Sequence, residues 1–302
     1  MEVFLGVDIG GTNVKFGAVR EDGVLLAKEK IKTSELHDKG SFVVNFFNAL
    51  EKKLAEFPYI QKVGIGVPGT LTKDRRFTLE YPNLPKLSYI PLHDRLSEAF
   101  PHVTFCLEND ANAAAIGELV FSRQTLPDNF VLITLGTGVG AGAIINRRIY
   151  LGGDGNALEI GHILASNGKT IEQNIGKKGI VEMMLNELKK DEIKTSLNKN
   201  SSYKDIEKAL HEKDKLAIKL YREVGKYVGE AIIALARILD IKNFLIGGGV
   251  ADNWEYVFPS IIESCHQHLS PYYLKDLKII RATLGNDAGM MGAAALVKHL
   301  NV

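Results

Sequence analysis

Cysteine is nearly absent: the chain of 302 residues has two, Cys106 and Cys265, far apart in sequence. Two distant cysteines cannot form the dense disulfide framework of a small secreted domain, and buried, reduced thiols are expected instead. An excess of either charge is also missing, since 37 Lys and Arg stand against 36 Asp and Glu. Without a bulk positive field, neither nucleic acid nor an anionic membrane is an expected partner. No apolar run approaches the ~20 residues that a membrane-crossing helix needs. The first residues make a strand rather than a basic, apolar, cleavable leader, so the cytoplasm is the expected compartment. What these absences leave is an ordinary globular composition, 45% hydrophobic, long enough for one large domain or two lobes with separate cores.

The most informative stretch is Asp8-Ile-Gly-Gly-Thr-Asn-Val-Lys15, which follows the apolar run Val3–Val7. Gly10 and Gly11 let the backbone turn tightly and bring N–H groups close to phosphate oxygens, while Thr12, Asn13 and Lys15 offer further donors. A carboxylate beside phosphate is repelled unless a cation lies between them, so Asp8 suits Mg²⁺, held directly or through its water shell. The competing reading is a plain hairpin turn that Asp8 merely caps.

Phe4–Val19 and Phe130–Ile145 align without gaps, Gly10 falling on Gly136, and both segments run strand, glycine turn, strand. The chain is therefore expected to be internally duplicated. Its second turn, at Gly136, Thr137 and Gly138, has no acid, Thr134 standing where Asp8 stands in the first copy. A third strand-to-glycine junction, Gly247, Gly248 and Gly249, suits a ribose or flat ring lying against bare backbone. Helical spacing marks 42–57, 111–120, 224–239 and 288–300, and 189–215 is a solvated, charge-rich excursion.

Asn109 and Asp110 sit where a strand ends and a helix begins, with Ala111, Ala113, Ala114 and Ala115 keeping the first turns slim. Asp110 can accept a proton from a sugar hydroxyl and Asn109 can both donate and accept, although both residues are also favoured as ordinary helix caps. Glu159 and His162, three apart, can grip adjacent hydroxyls, with Glu172 ten residues beyond His162. A metal site and a bland surface histidine are the alternatives there.

Together these segments, with Gly66-Val-Pro-Gly69, Tyr81-Pro-Asn-Leu84 and Leu107–Asn112, resemble the ROK family of sugar kinases, and among them its glucokinase-like members. The match spans nearly the whole chain, in family order. The resemblance implies an α/β protein of the actin-like ATPase (ribonuclease H-like) fold, two lobes around a central cleft, with 1–112 plus 288–302 as the smaller lobe and 113–287 as the larger. It implies ATP and Mg²⁺ along Asp8, Gly10 to Asn13, Lys15, Gly136 to Gly138 and Gly247 to Gly249, although some relatives use polyphosphate. Asp110 becomes the catalytic base, and Gly69, Asn83, Asn109, Glu159, His162 and Glu172 hold the sugar. A homodimer is the expected assembly.

In one respect the sequence departs from the family. Most members carry a cysteine-rich zinc motif just after the Glu-x-Gly-His segment, whereas 163–172 here is short and has no cysteine. Zinc is therefore expected to be absent. Repressor members carry a DNA-binding helix-turn-helix before the first strand, and this chain starts at the strand, which favours an enzyme. The expected activity is phosphorylation of the 6-hydroxyl of a hexose, glucose first, with N-acetylmannosamine, N-acetylglucosamine, mannose, fructose or allose as other acceptors. A catalytically silent sugar-binding regulator is the alternative from another class.

Overall fold

The computed structural model describes residues 1–37, 41–81, 84–190 and 192–299. They form two compact units, Met1–Asp128 with Gly142–Ala157 and Asn286–Val302, and Asn129–Ala141 with Leu158–Gly285. These divisions fall elsewhere than the expected 112/113 and 287/288 boundaries. The physical reason is helix packing in the first unit. The Asp110–Phe121 helix lies so close to the closing helix, Ala288–His299, that a Cβ at Gly292 would stand 1.8 Å from the Ala113 carbonyl oxygen. Small residues at the crossing fuse the two helices into one layer, so Asp110 and its whole helix stay with the first unit.

The first unit carries β1 (Val3–Ile9), β2 (Asn13–Arg20), β3 (Leu25–Lys32), β4 (Lys62–Val67) and β5 (Thr104–Asn109), in the sheet order β3-β2-β1-β4-β5. The first three pair antiparallel; β4 runs parallel to both β1 and β5. β3 is an edge strand whose exposure alternates residue by residue, with Lys28, Lys30 and Lys32 along it, a composition that discourages edge-to-edge pairing. The Phe42–Glu56 helix buries Phe42, Phe46 and Leu50, and Phe46 stacks on Phe16 of β2 at 6.3 Å between ring centres.

The second sheet contains β6 (Phe130–Leu135), β7 (Val139–Ile145), β8 (Arg148–Ile149), β9 (Asn243–Gly247) and β10 (Lys278–Arg281). Followed from β8, its order is β8-β7-β6-β9-β10, the same topology as the first sheet, with β9 parallel to β6 and β10. The duplication seen in the two hairpins thus extends through both whole sheets. A long helix, Lys215–Leu239, starts nine residues before its expected beginning because Asp214 accepts from the N–H groups of Leu216 and Ala217.

Cys106 and Cys265 are buried and free, and burial pushes their thiols up to about 11 and about 12. Among the described residues no helix is long and apolar enough to cross a membrane.

Candidate active site

In the first unit the C-terminal ends of the parallel strands β1, β4 and β5 share one edge of the sheet, the usual ligand edge of parallel α/β sheets. Asp8 sits at the first, Gly69 just past the second, and Asn109 with Asp110 at the third. In the sheet Asp8 pairs with Gly66, and a Cβ at Gly66 would lie 3.6 Å from Asp110 Cα. The topology therefore gathers the first glycine turn and the two polar residues expected to meet the sugar.

Asp8 is 15% exposed, and its Oδ2 accepts from Lys15 Nζ at 3.1 Å, the two residues facing each other across the β1–β2 hairpin. Lys15 also donates to the Asn286 carbonyl at 2.7 Å. The lysine expected to meet phosphate thus partners the acid. The turn between the strands is closed by the Gly10 N–H donating to the Asn13 carbonyl, and leaves Gly11 and Thr12 exposed. Thr33, which nothing in the sequence singled out, pins this turn from outside. Its Oγ1 donates to the Gly10 carbonyl at 2.7 Å and its N–H to that of Thr12 at 3.0 Å.

Asn109 is the N-cap of the Asp110–Phe121 helix, its Oδ1 accepting from the N–H groups of Ala111 and Asn112. Its Nδ2 donates to the Gly69 carbonyl at 3.1 Å, which leaves one of the two amide hydrogens for another partner. Capping and ligand contact are therefore compatible in one side chain. Gly69 has φ +96°, and a Cβ there would stand 2.2 Å from the Glu80 carbonyl oxygen, so only glycine fits this turn. Asp110 opens the helix and accepts from the Ala111 N–H at 2.8 Å. Asn83 lies outside the described residues.

Two buried side-chain polar atoms among the described residues have no partner, Tyr81 Oη and Asn112 Oδ1. Burial raises the Tyr81 phenol above its ordinary range, and the charges of Asp110 and Glu108 raise it further, so the hydroxyl stays a neutral donor beside these acids. The Gly152–Gly155 segment is tied down. Asn156 exchanges two hydrogen bonds with the Leu71 backbone, and Lys73 donates to the Gly153 carbonyl.

In the second unit, parallel strands β6 and β9 bring the ends leading to Gly136–Gly138 and to Gly247–Gly249 side by side. The glycines divide by what surrounds them. A Cβ at Gly136 or at Gly249 would meet nothing within 4 Å, whereas one at Gly248 would stand 2.3 Å from the Leu135 carbonyl oxygen. Gly248 thus serves the protein's own packing, and Gly136 and Gly249 present open backbone that a ligand can approach. A Cβ at Gly138 would lie 2.3 Å from Glu172 Oε2, which accepts from the Val139 N–H at 2.9 Å. Glu172 therefore braces the second turn. A cavity of about 430 Å³ opens beside it, lined by Thr137, Glu172, Lys169 and Lys178 among others.

Glu159 precedes a single 3-10 turn, Ile160–His162, that His162 ends, and His162 Nε2 stands 3.9 Å from Glu159 Oε2. Desolvation raises the Glu159 carboxyl, with His162 lowering it and Glu172 adding to the rise, an effect that its 45% side-chain exposure screens. His162 is 67% exposed. The cysteine-free segment that follows is held by hydrogen bonds: Asn167 and Asn174 exchange side-chain amides, Asn167 also donates to Tyr227, and Ser166 donates twice to Glu230. Among the described residues no group of three or more His, Cys, Asp or Glu is placed to hold a metal.

The sequence model of the ROK family matches residues 4–300. A glucokinase of Halalkalibacterium halodurans is 31% identical across 98% of this chain and 95% of its own, and one of Thermotoga maritima is 29% identical across 98% and 97%. Among solved structures, a ROK family glucokinase from Streptomyces griseus in complex with glucose and AMPPNP is 30% identical. That comparison covers 98% of this chain and 99% of the other, with a TM-score of 0.82.

Proposed function

The chain belongs to the ROK family, with its actin-like ATPase fold, and from that premise we propose that it is an ATP-dependent hexose kinase acting on the 6-hydroxyl of glucose. The observation that carries the assignment of the base is Asp110 itself. It is a carboxylate at the first position of a helix, anchored by its cap, on the same sheet edge as the first glycine turn. The full-length likeness to glucokinases, one of them solved with glucose and AMPPNP, supports the choice of acceptor and donor.

In this mechanism Asp110 orients the primary hydroxyl and takes its proton as the oxygen attacks the γ-phosphorus. Phosphoryl transfer has a loose transition state, so positioning and charge neutralisation supply most of the rate and the proton moves late. Asn109 offers its remaining amide hydrogen to a sugar hydroxyl, with Glu159, His162 and Glu172 proposed as further sugar contacts. The open backbone at Gly136 and Gly249 offers room for the nucleotide, the Gly136 N–H itself closing the turn onto the Gly138 carbonyl. A divalent ion, which we propose is Mg²⁺, fits the donor set around Asp8. One carboxylate beside a glycine turn suits an ion that keeps its water and is bound mainly by phosphate. When bound, that ion neutralises charge on the phosphate oxygens.

An assay of sugar phosphate formed from glucose, mannose, fructose, allose and the N-acetylhexosamines, run with ATP and with polyphosphate, tests the proposal. The highest kcat/KM is expected with glucose and ATP. Absence of turnover with every acceptor and both donors would point instead to a sugar-binding regulator.

We also propose a cytoplasmic homodimer without structural zinc, the 163–172 segment being held by the Asn167–Asn174 and Ser166–Glu230 bonds. Elemental analysis of protein purified without added metal is expected to find zinc far below one per chain, and a zinc-selective chelator should leave turnover unchanged. Stoichiometric zinc sinks this part of the proposal.

A further inference from the structure

Glu108, the last but one residue of β5, is 1% exposed although it carries a carboxylate. Its Oε1 accepts from the Asn109 N–H at 2.9 Å and from Asn112 Nδ2 at 3.1 Å, and its Oε2 accepts from Arg75 Nε at 3.0 Å. Arg75 is itself 12% exposed. It uses the rest of its guanidinium on two carbonyls, Gly155 through Nη2 at 2.7 Å and Thr72 through Nη1 at 3.3 Å. Both turns around it are unusual. Arg75 has φ +60°, a region that residues with a Cβ seldom enter, and a Cβ at Gly155, where φ is +93°, would stand 2.5 Å from Arg75 Nη1.

Burying a carboxylate and a guanidinium costs free energy that an apolar pair of the same volume would not. What the pair supplies here is placement. Glu108 holds the Asn109 backbone from one side of Asp110 and the Asn112 side chain from the other, while Asn109 Oδ1 holds the Ala111 and Asn112 N–H groups. Arg75 fastens Glu108 to the 152–155 loop and to the 72–77 turn. We propose that Glu108 and Arg75 are positioning residues, which together hold Asn109 and Asp110 at the angle that phosphoryl transfer to the sugar hydroxyl requires. This inference rests on the reading of Asp110 as the base.

Arg75→Lys keeps the charge but, as a single compact donor group, cannot serve the Glu108, Gly155 and Thr72 acceptors in the same fixed fork. Glu108→Gln keeps the shape and removes the charge. Because a misplacement of ~1 Å can cost on the order of 10²-fold in rate, kcat per folded molecule is expected to fall roughly tenfold to 100-fold in both variants. KM for ATP should stay within about twofold, since uniform substrate binding is untouched. Hydrogen exchange at the Ala111 and Asn112 amides should speed up. Arg76→Ala, which removes an exposed side-chain pair between the same turn and Asp94 of the Leu92–Ala99 helix, should leave both readouts unchanged.

Unaltered kcat per folded molecule in both variants overturns the proposal, and so does a fall explained wholly by a smaller folded fraction. A wild-type protein that turns over no hexose would count against the kinase reading alone. Exchange at Ala111 and Asn112 then decides the positioning role, and unchanged protection in both variants overturns it.

Discussion

Asp110→Asn is expected to lower kcat by about 10³-fold, within the ~10²–10⁴-fold that a positioned acid or base contributes, while glucose and ATP still bind. The substitution is nearly isosteric. Its remaining side-chain oxygen can still accept from the Ala111 N–H, so the helix start should hold, as should the cap bonds of Asn109. What disappears is the capacity to take the hydroxyl proton. Steady-state kinetics with calorimetric titration of glucose separates the two quantities. Near-normal turnover refutes the role of base, and a loss of glucose affinity as large as the loss of rate would make Asp110 a binding residue instead.

Gly64→Ala should have the largest effect on stability. The interior strand β4 passes so close to the Ala288–His299 helix that the new methyl would stand 1.7 Å from the Ala293 carbonyl oxygen and 2.6 Å from its carbon. These are backbone atoms, so no side-chain rotation can relieve the clash and the helix must lift from the sheet. Overpacking usually costs about 1–3 kcal/mol, and a forced backbone displacement belongs at or above the top of that range. Against a total of roughly 5–15 kcal/mol for a domain, a drop in melting temperature of about 6–12 °C or a failure to fold is expected. Gly136→Ala is the control, since its methyl would meet nothing within 4 Å, and it should melt with the wild type. Equal melting temperatures for all three proteins would show that this helix–sheet contact is not the tight one described.

The parts of the fold legible in the sequence are those whose signals are local. The hairpin glycines, the apolar spacing of the Phe42–Glu56 helix and the alanine-rich closing helix each carry their pattern within a few turns. β3 is harder to see, because Lys28, Glu29, Lys30 and Lys32 make it look solvated, and only its partner β2 makes it a strand. The full duplication is hidden for a similar reason: β8 has two residues, and the matching of β9 and β10 to β4 and β5 lies in sheet order rather than in motif. The unit boundaries depend on helices meeting at Gly292 and Ala113, a long-range contact.

The site divides in the same way. Asn109 and Asp110 are legible because polar residues after an apolar strand mark a loop or cap, and the Asp8–Lys15 pair follows from hairpin register. The Arg75–Glu108 pair is not, since its members are 33 residues apart and Arg75 lies in an unremarkable charged turn. Its one available signal is an acid, Glu108, inside an otherwise apolar strand. Thr33 gives no signal at all, because its role depends on the carbonyls of a turn more than twenty residues away.

The central claim is transfer of the γ-phosphoryl group of ATP to the 6-hydroxyl of glucose. ³¹P NMR of a reaction containing only purified protein, glucose, ATP and Mg²⁺ tests it without coupling enzymes. The account predicts glucose 6-phosphate accumulating in step with ADP, and its loss in Asp110→Asn. ADP accompanied by free inorganic phosphate, or phosphate on any other hydroxyl, would contradict it.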